Sequence, residues 1–332
     1  MKKIIVTGAC GFIGTCLTKR LIELGYKVFG VDSLKRAGSE INFQELSMNK
    51  NFNLFRIDLS NSLKVDTLFK ELGEVDAVFH LAAQVTVTTS YTNRQQDFLD
   101  NAIASFNVIE SVKKYSPNSY AFYASTNKVY GHINVNKPVN EDYPIDPYTP
   151  YGVSKATGEL YFKEYGRKEI GMNTCVLRQS CIYGHQQFGV EDQGWVAWFA
   201  IANIFQLPLT LYGNGKQVRD LLFVDDLIDF YILLLDKRKT GVFPIGGGSQ
   251  NSINLLDAIE LITSITGNEF PNIEYEKTRP GDQPYFVSDN SWVINNKLDW
   301  KPKVNLEVGI GKMIKWIQSN EQRISGVLNL YK

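Results

Sequence analysis

With 332 residues, the chain is long enough for one large domain or two joined ones. Its 44% hydrophobic and 21% charged residues are those of an ordinary globular protein. A net charge of zero excludes any broad electrostatic attraction to nucleic acid or to a membrane surface. The four cysteines, Cys10, Cys16, Cys175 and Cys181, have no metal-ligand spacing and are expected to be reduced, mostly buried thiols of a cytoplasmic protein. Met1-Lys-Lys-Ile runs straight into a strand pattern, which argues against a signal peptide. The most apolar long stretch, Val196 to Tyr212, is interrupted by Asn203, Gln206 and Pro208, which argues against a membrane span.

Lys3–Thr7 is a short apolar run that reads as a buried parallel strand. Gly8-Ala-Cys-Gly11-Phe-Ile-Gly14 follows, and then a helical pattern that ends at Gly25. Lys27–Asp32 is a second strand, ending in an acid. Strand, glycine turn, helix, strand and acid together make a dinucleotide-binding unit. The glycines let backbone N–H groups approach a pyrophosphate at a helix N-terminus. Asp32 can accept from ribose hydroxyls and would repel a 2′-phosphate, which favours NAD over NADP, although Lys35 and Arg36 nearby weaken that preference.

Strands are expected at Asn53–Ile57, Asp76–Ala83, Ser119–Ser125 and Asn173–Arg178, and helices at Leu63–Leu72, Arg94–Lys114 and Ser154–Lys168. This alternation implies an α/β fold with a doubly wound parallel (Rossmann) sheet. Its ligand should lie at the carboxyl ends of the strands, where Gly8, Asp32, Ala82 and Ser125 fall. His80, within a strand, reads as a core residue. Trp195–Phe205, Leu255–Ile265 and Leu306–Ile317 read as helices of a smaller α/β C-terminal domain, and Leu221–Leu235 as a brief return to the nucleotide domain. The expected division is 1–178 plus 222–246 for NAD and 179–221 plus 247–332 for substrate.

Tyr151-Gly-Val-Ser-Lys155 places a phenol and an ammonium one helical turn apart on one face. The lysine can stabilise a tyrosinate and draw its pKa from about 10 toward neutrality, which would make Tyr151 a general base for a hydroxyl. In a chain with 17 tyrosines such a spacing also occurs as plain helix decoration. The glycine fingerprint and the upstream Ser125-Thr126 favour the chemical reading.

These residues resemble the extended short-chain dehydrogenase/reductase (NAD-dependent epimerase/dehydratase) family, which acts mostly on nucleotide sugars. The resemblance rests on Thr7–Gly14, Asp58-Leu59, His80-Leu-Ala-Ala83, Ser125–Gly131, Tyr151–Lys155, Arg219-Asp220 and Arg279-Pro-Gly-Asp282. It implies a triad of Thr126, Tyr151 and Lys155, with Ser125 in reserve. It implies cofactor contacts from Gly8, Gly11, Phe12, Ile13, Gly14, Asp32, Asp58, Leu59, Leu81, Ala82, Ala83, Gln84, Asn101 and Ser180, besides Tyr151 and Lys155. Substrate contacts would come from Thr86, Thr126, Asn127, Lys128, Gln187, Gln193, Trp195, Arg219, Arg279 and Asp282. The two arginines would take the diphosphate. Trp195 and Trp198 read either as core or as a wall for base or sugar. No metal site is implied.

The 4,6-dehydratase subgroup carries Asp-Glu after the triad threonine; Asn127-Lys128 stands here. Ser125–Gly131, Gln84–Ser90, Asp192–Trp198 and Gly213–Asp220 are instead similar to the CDP-paratose (CDP-tyvelose) 2-epimerases. That similarity implies a CDP-hexose substrate, inversion at C2 through a transient 2-keto sugar, tightly held NAD, a role in surface-polysaccharide synthesis, and a homodimer or homotetramer. The rivals are a UDP-hexose 4-epimerase and a silent NAD-binding scaffold. Gln186, Gln179, Cys181 and Pro244 depart from that subgroup's residues and are expected to alter the sugar or nucleotide pocket.

Overall fold

The computed structural model describes residues 1–133 and 136–330; the expected domain ranges include positions 134, 135, 331 and 332, which lie outside these. The first half of the chain alternates β1 (Lys3–Thr7), α1 (Phe12–Glu23), β2 (Lys27–Asp32), α2 (Ser39–Ser47), β3 (Phe52–Arg56), α3 (Ser62–Leu72) and β4 (Ala77–His80). Next come α4 (Val87–Thr92), α5 (Arg94–Phe98), a π-helical segment (Leu99–Ile103), α6 (Ala104–Tyr115), β5 (Tyr120–Thr126), α7 (Pro150–Tyr165) and β6 (Asn173–Gln179).

Among the described residues the main sheet has seven strands, all parallel, in the order β10-β6-β5-β4-β1-β2-β3, where β10 is Gly241–Ile245. The order reverses between β1 and β4, so the crevice for a ligand opens above that pair. Strand residues alternate faces. Ile4, Val6, Phe79 and Phe122 pack with α1 residues Leu17 and Leu21 on one side. Ile5, Val78, Ala121 and Tyr123 pack with α3, α6 and α7 through Leu68, Val108, Val112 and Phe162 on the other.

The rest of the chain forms β7 (Cys181–Tyr183), α8 (Trp195–Ile204), β8 (Leu209–Tyr212), β9 (Val218–Phe223), α9 (Val224–Lys237), β10, β11 (Ser252–Asn254), α10 (Leu255–Thr266), β12 (Ile273–Glu276), β13 (Tyr285–Phe286), α11 (Ser291–Asn295) and α12 (Leu306–Ser319). β9 is flanked by β7, β11 and β13, and β8 pairs with β12. A separate core of Ala197, Phe199, Leu211, Phe223, Ile259 and Ile314 joins α8, α10 and α12 to these strands.

Two expectations need correction. β9 pairs with β7 in the second layer and leaves Leu221 and Phe223 in that layer's core; the Leu222 side chain and α9, through Leu227, Phe230, Tyr231 and Leu234, join the core of the main sheet. The long helix expected over Arg94–Lys114 is interrupted by the π-helical turn Leu99–Ile103, a widening that commonly marks functional sites. No described helix is long and apolar enough to cross a membrane. All four cysteines are free, and Cys10, Cys16 and Cys175 are buried.

Candidate active site

A cavity of about 790 Å³ opens above the β1–β4 crevice, between the main sheet and the second layer. Its floor is the glycine loop. Gly8 has φ +69°, and a Cβ there would stand 2.8 Å from the Ala82 nitrogen; one on Gly14 would stand 1.9 Å from the Gly8 carbonyl oxygen. Both therefore serve close backbone approach. A Cβ on Gly11 would meet only the Gly8 carbonyl oxygen, at 3.3 Å. Gly11 is the N-cap of α1 and supplies no side-chain cap, so the helix N-terminus faces the cavity with free N–H groups. Asp32 accepts from the backbone N–H of Cys10 (3.0 Å) and Leu34 (2.8 Å) while lining the cavity. Burial raises its carboxyl pKa, and the backbone N–H groups offset only part of that rise. Lys35, a cation within the loop that follows Asp32, is bound to Asp58 at 2.6 Å, and Arg36 donates to Gln193 at 2.5 Å. The Lys35 hydrogen bond also holds Asp58 down to about 2. The closed loop, the uncapped helix end and the acid on β2 fit a dinucleotide.

The catalytic helix starts where Thr149 caps it, accepting from Gly152 N–H at 2.9 Å, with Pro150 in its first turn. This puts Tyr151 at the cavity wall, and the Tyr151 N–H donates to Ser90 Oγ at 3.1 Å. The Thr126 hydroxyl reaches the Tyr151 phenol and lowers its pKa, but burial dominates and pushes the phenol up to about 12. Lys155 stands over the Tyr123 ring at 4.3 Å, and burial pulls it down to about 7. The expectation that the lysine draws the phenol toward neutrality is thus not met in this structure. Desolvation is the largest influence on both groups and disfavours their charged forms.

Every site residue expected from the sequence lines this cavity except Asn101. Asn101 is buried behind it, its amide donating to Ser154 Oγ (3.0 Å) and Asp97 (3.2 Å). Ser125 is not aimed at the phenol, because its hydroxyl donates to Glu159 Oε2 at 2.7 Å. Ser180 Oγ donates to Asp220. Phe12, Ile13, Leu59, Leu81 and Ala83 give the cavity its apolar lining, with Thr86 and Gln84 beside them. Asn127 donates to Gln283 Oε1 at 3.3 Å, and Lys128 Nζ to the Gly281 carbonyl at 3.0 Å. Arg219 forms a 2.6 Å ion pair with Asp282. Arg279 stacks on Tyr212 at 3.7 Å and pairs with Asp192 at 3.3 Å. Gln187 leaves its buried Oε1 without a partner, and Trp198 does the same with Nε1. Trp195 and Trp198 both line the cavity, and Trp195 meets Phe199 edge-on at 5.3 Å.

His80 is a core residue. Thr7 Oγ1 accepts from the Leu81 and Ala82 N–H groups, both at 3.2 Å, so its proton goes to His80 Nδ1 at 2.7 Å. Nε2–H then donates to Ser105 Oγ at 3.0 Å. Burial drives the ring pKa down to about 3 and keeps it neutral.

Two of the sequence departures lie off the cavity. Gln186 sits at φ +65° beside His185, which bonds Asp225 at 2.7 Å; Pro244 lies in β10, its carbonyl accepting from Trp292 Nε1 at 2.6 Å. The departures at Gln179 and Cys181 do line it. Gln283 and the Tyr212–Arg279 stack were missed in the sequence. Their only signal was adjacency to Asp282 and to Gly213.

A parallel sheet in this order, a glycine loop and a Tyr-x-x-x-Lys helix define an extended short-chain dehydrogenase/reductase. The chain belongs to the NAD dependent epimerase/dehydratase family, whose profile matches residues 4–246, and NAD is its cofactor. It is 37% identical to the CDP-paratose 2-epimerase of Salmonella typhi, over 96% of this chain and 99% of that one. It is 32% identical to a putative UDP-glucose 4-epimerase of Methanocaldococcus jannaschii, over 96% and 99%. Among solved structures, the UDP-glucose 4-epimerase of Thermotoga maritima with UDP-glucose superposes with a TM-score of 0.85 at 30% identity, covering 96% of this chain and 99% of that one.

Proposed function

We propose that the protein inverts C2 of a CDP-hexose, CDP-paratose or a relative, through a transient 2-keto sugar. The observation that carries this reading is the triad without an acid pair. Thr126 and Tyr151 meet at the cavity wall beside Lys155, while the two positions after Thr126 hold an amide and an ammonium engaged with Gln283 and Gly281. Water elimination needs a carboxylic acid there; epimerisation does not. The Salmonella typhi relative supports C2 and the CDP group.

Bound NAD supplies reversible hydride acceptance at the sugar carbon. The glycine loop and the α1 N-terminus hold its pyrophosphate, and Asp32 its ribose hydroxyls. Tyr151 removes the C2 hydroxyl proton, Thr126 orients that hydroxyl, and Lys155 holds the nicotinamide ribose. Arg219 and Arg279 take the diphosphate, exchanging their carboxylate partners for it. Residues 1–178 with 222–246 serve the cofactor, and 179–221 with 247–332 the nucleotide sugar. The keto sugar turns over in the cavity, and Tyr151 returns the proton after reduction on the other face.

The test mixes purified protein with CDP-paratose, CDP-glucose and UDP-glucose separately and follows the sugar proton couplings by NMR. Inversion at C2 of a CDP-sugar without added NAD is expected. Inversion at C4 of UDP-glucose would replace this reading with the second one, a UDP-hexose 4-epimerase, which draws on the Methanocaldococcus and Thermotoga relatives.

The protein works as a homodimer through α5, α6 and α7. Phe98 of α5 and Val153, Leu160 and Tyr161 of α7 are 46%, 46%, 51% and 38% exposed, an apolar surface that a second copy would cover. Light scattering after size exclusion should give twice the chain mass for wild type and a monomer for Leu160→Asp. A monomeric wild type would rule the dimer out.

A further inference from the structure

Behind the cavity wall lies a carboxylate that none of the expected site residues accounts for. Asp97, in α5, is 1% exposed, and the next acid in sequence, Asp100, stands in the π-helical turn. Asp97 Oδ2 accepts from Ser154 Oγ at 2.6 Å. Oδ1 accepts from Gln84 Nε2 at 2.8 Å and from Asn101 Nδ2 at 3.2 Å. Each partner belongs to a different piece of the site. Ser154 immediately precedes Lys155 and lies three residues after Tyr151 on α7, and its Oγ also reaches the Tyr151 carbonyl at 3.1 Å. Gln84 is in the loop after β4, where its amide also binds the Thr86 carbonyl at 2.9 Å. Asn101 sits in the π-helical turn.

We propose that Asp97 is a positioning residue for the Tyr151–Lys155 pair: its carboxylate locks the first turns of α7 to the loop after β4 and to the π-helical turn, and sets the field in which phenol and ammonium exchange protons. This rests on the reading that Tyr151 and Lys155 carry the proton chemistry. A buried carboxylate is costly unless its oxygens are satisfied, and here three donors satisfy them. The π-helical turn brings Asn101 and Asp97 to Ser154 together, which gives that irregularity a purpose.

The charges facing this pair are Asp97, Glu159 from α7 itself and Arg36 from the loop after β2; the titratable His80 of β4 is neutral. Asp97 raises the proton affinity of both Tyr151 and Lys155. Removing its charge therefore moves both titrations the same way, to lower pH.

The test compares Asp97→Asn and Ser154→Ala with wild type as NAD-loaded proteins. The Tyr151 titration is read from the ultraviolet phenolate band, as the difference between each protein and its Tyr151→Phe partner. That readout needs no substrate and so stands apart from the choice of sugar. In Asp97→Asn the phenolate midpoint is expected to fall by roughly one pH unit. The pH–rate profile, followed with CDP-paratose and with UDP-glucose, should move with it. Ser154→Ala keeps the charge and breaks the tether. Its midpoint should stay in place while turnover drops about tenfold to hundredfold at little change in KM. An unmoved midpoint in Asp97→Asn overturns the proposal. If that variant does not fold, Ser154→Ala decides alone, and wild-type turnover there overturns it equally.

Discussion

Replacing Tyr151 by phenylalanine is expected to leave a folded protein that still carries NAD but epimerises a nucleotide sugar roughly 10²–10⁴-fold more slowly. The ring is almost fully buried, at 8% exposure, and phenylalanine preserves its packing. What is lost is the phenol oxygen that Thr126 reaches. Thr126 is fixed by its own turn, its Oγ1 accepting from the Lys128 N–H at 3.3 Å, so it does not shift to replace the phenol. Turnover by NMR and NAD released on denaturation are the two readings. Full activity would refute the role of Tyr151. Loss of NAD together with activity would mean that the residue chiefly holds the cofactor.

The largest effect on stability is expected at Glu159, not at the cavity. Its Oε1 accepts from Arg178 Nε (2.9 Å) and Nη2 (2.6 Å), and its Oε2 from Ser125. The side chains are 1% and 5% exposed. Glu159→Ala strands a buried guanidinium and should cost about 3–5 kcal/mol in denaturant unfolding. The double variant Glu159→Leu with Arg178→Met removes both charges and should recover most of that loss, because the desolvation cost disappears along with the attraction. A single variant as stable as wild type would mean that water relaxes the pair. Since Ser125 precedes Thr126, the single variant should also slow turnover by loosening the end of β5.

The sequence by itself determined the nucleotide half. Parallel strands buried on both faces are near-continuous apolar runs, glycines mark where backbone must touch backbone, and the Tyr-Lys spacing survives in any helix. These are local signals. They placed β1 to β6, the loop from Gly8 to Gly14, Asp32, the Ser125-Thr126 pair, Tyr151 and Lys155 without reference to the rest of the chain. Only the tertiary structure decided which hydroxyl meets the phenol. Ser125 and Thr126 alternate faces of one strand, and it is Glu159, 34 residues further along, that claims Ser125. Tertiary contact likewise decided that Gln186 and Pro244 lie off the cavity, that Gln283 supports Asn127, and that Tyr212 carries Arg279. It also set the protonation balance. A spacing of four residues shows that a lysine can help a tyrosine, but burial, a property of the whole fold, pushes the phenol up and the ammonium down. Asp97 belongs to the same class, since its partners lie 13, 4 and 57 residues away and no local pattern joins them.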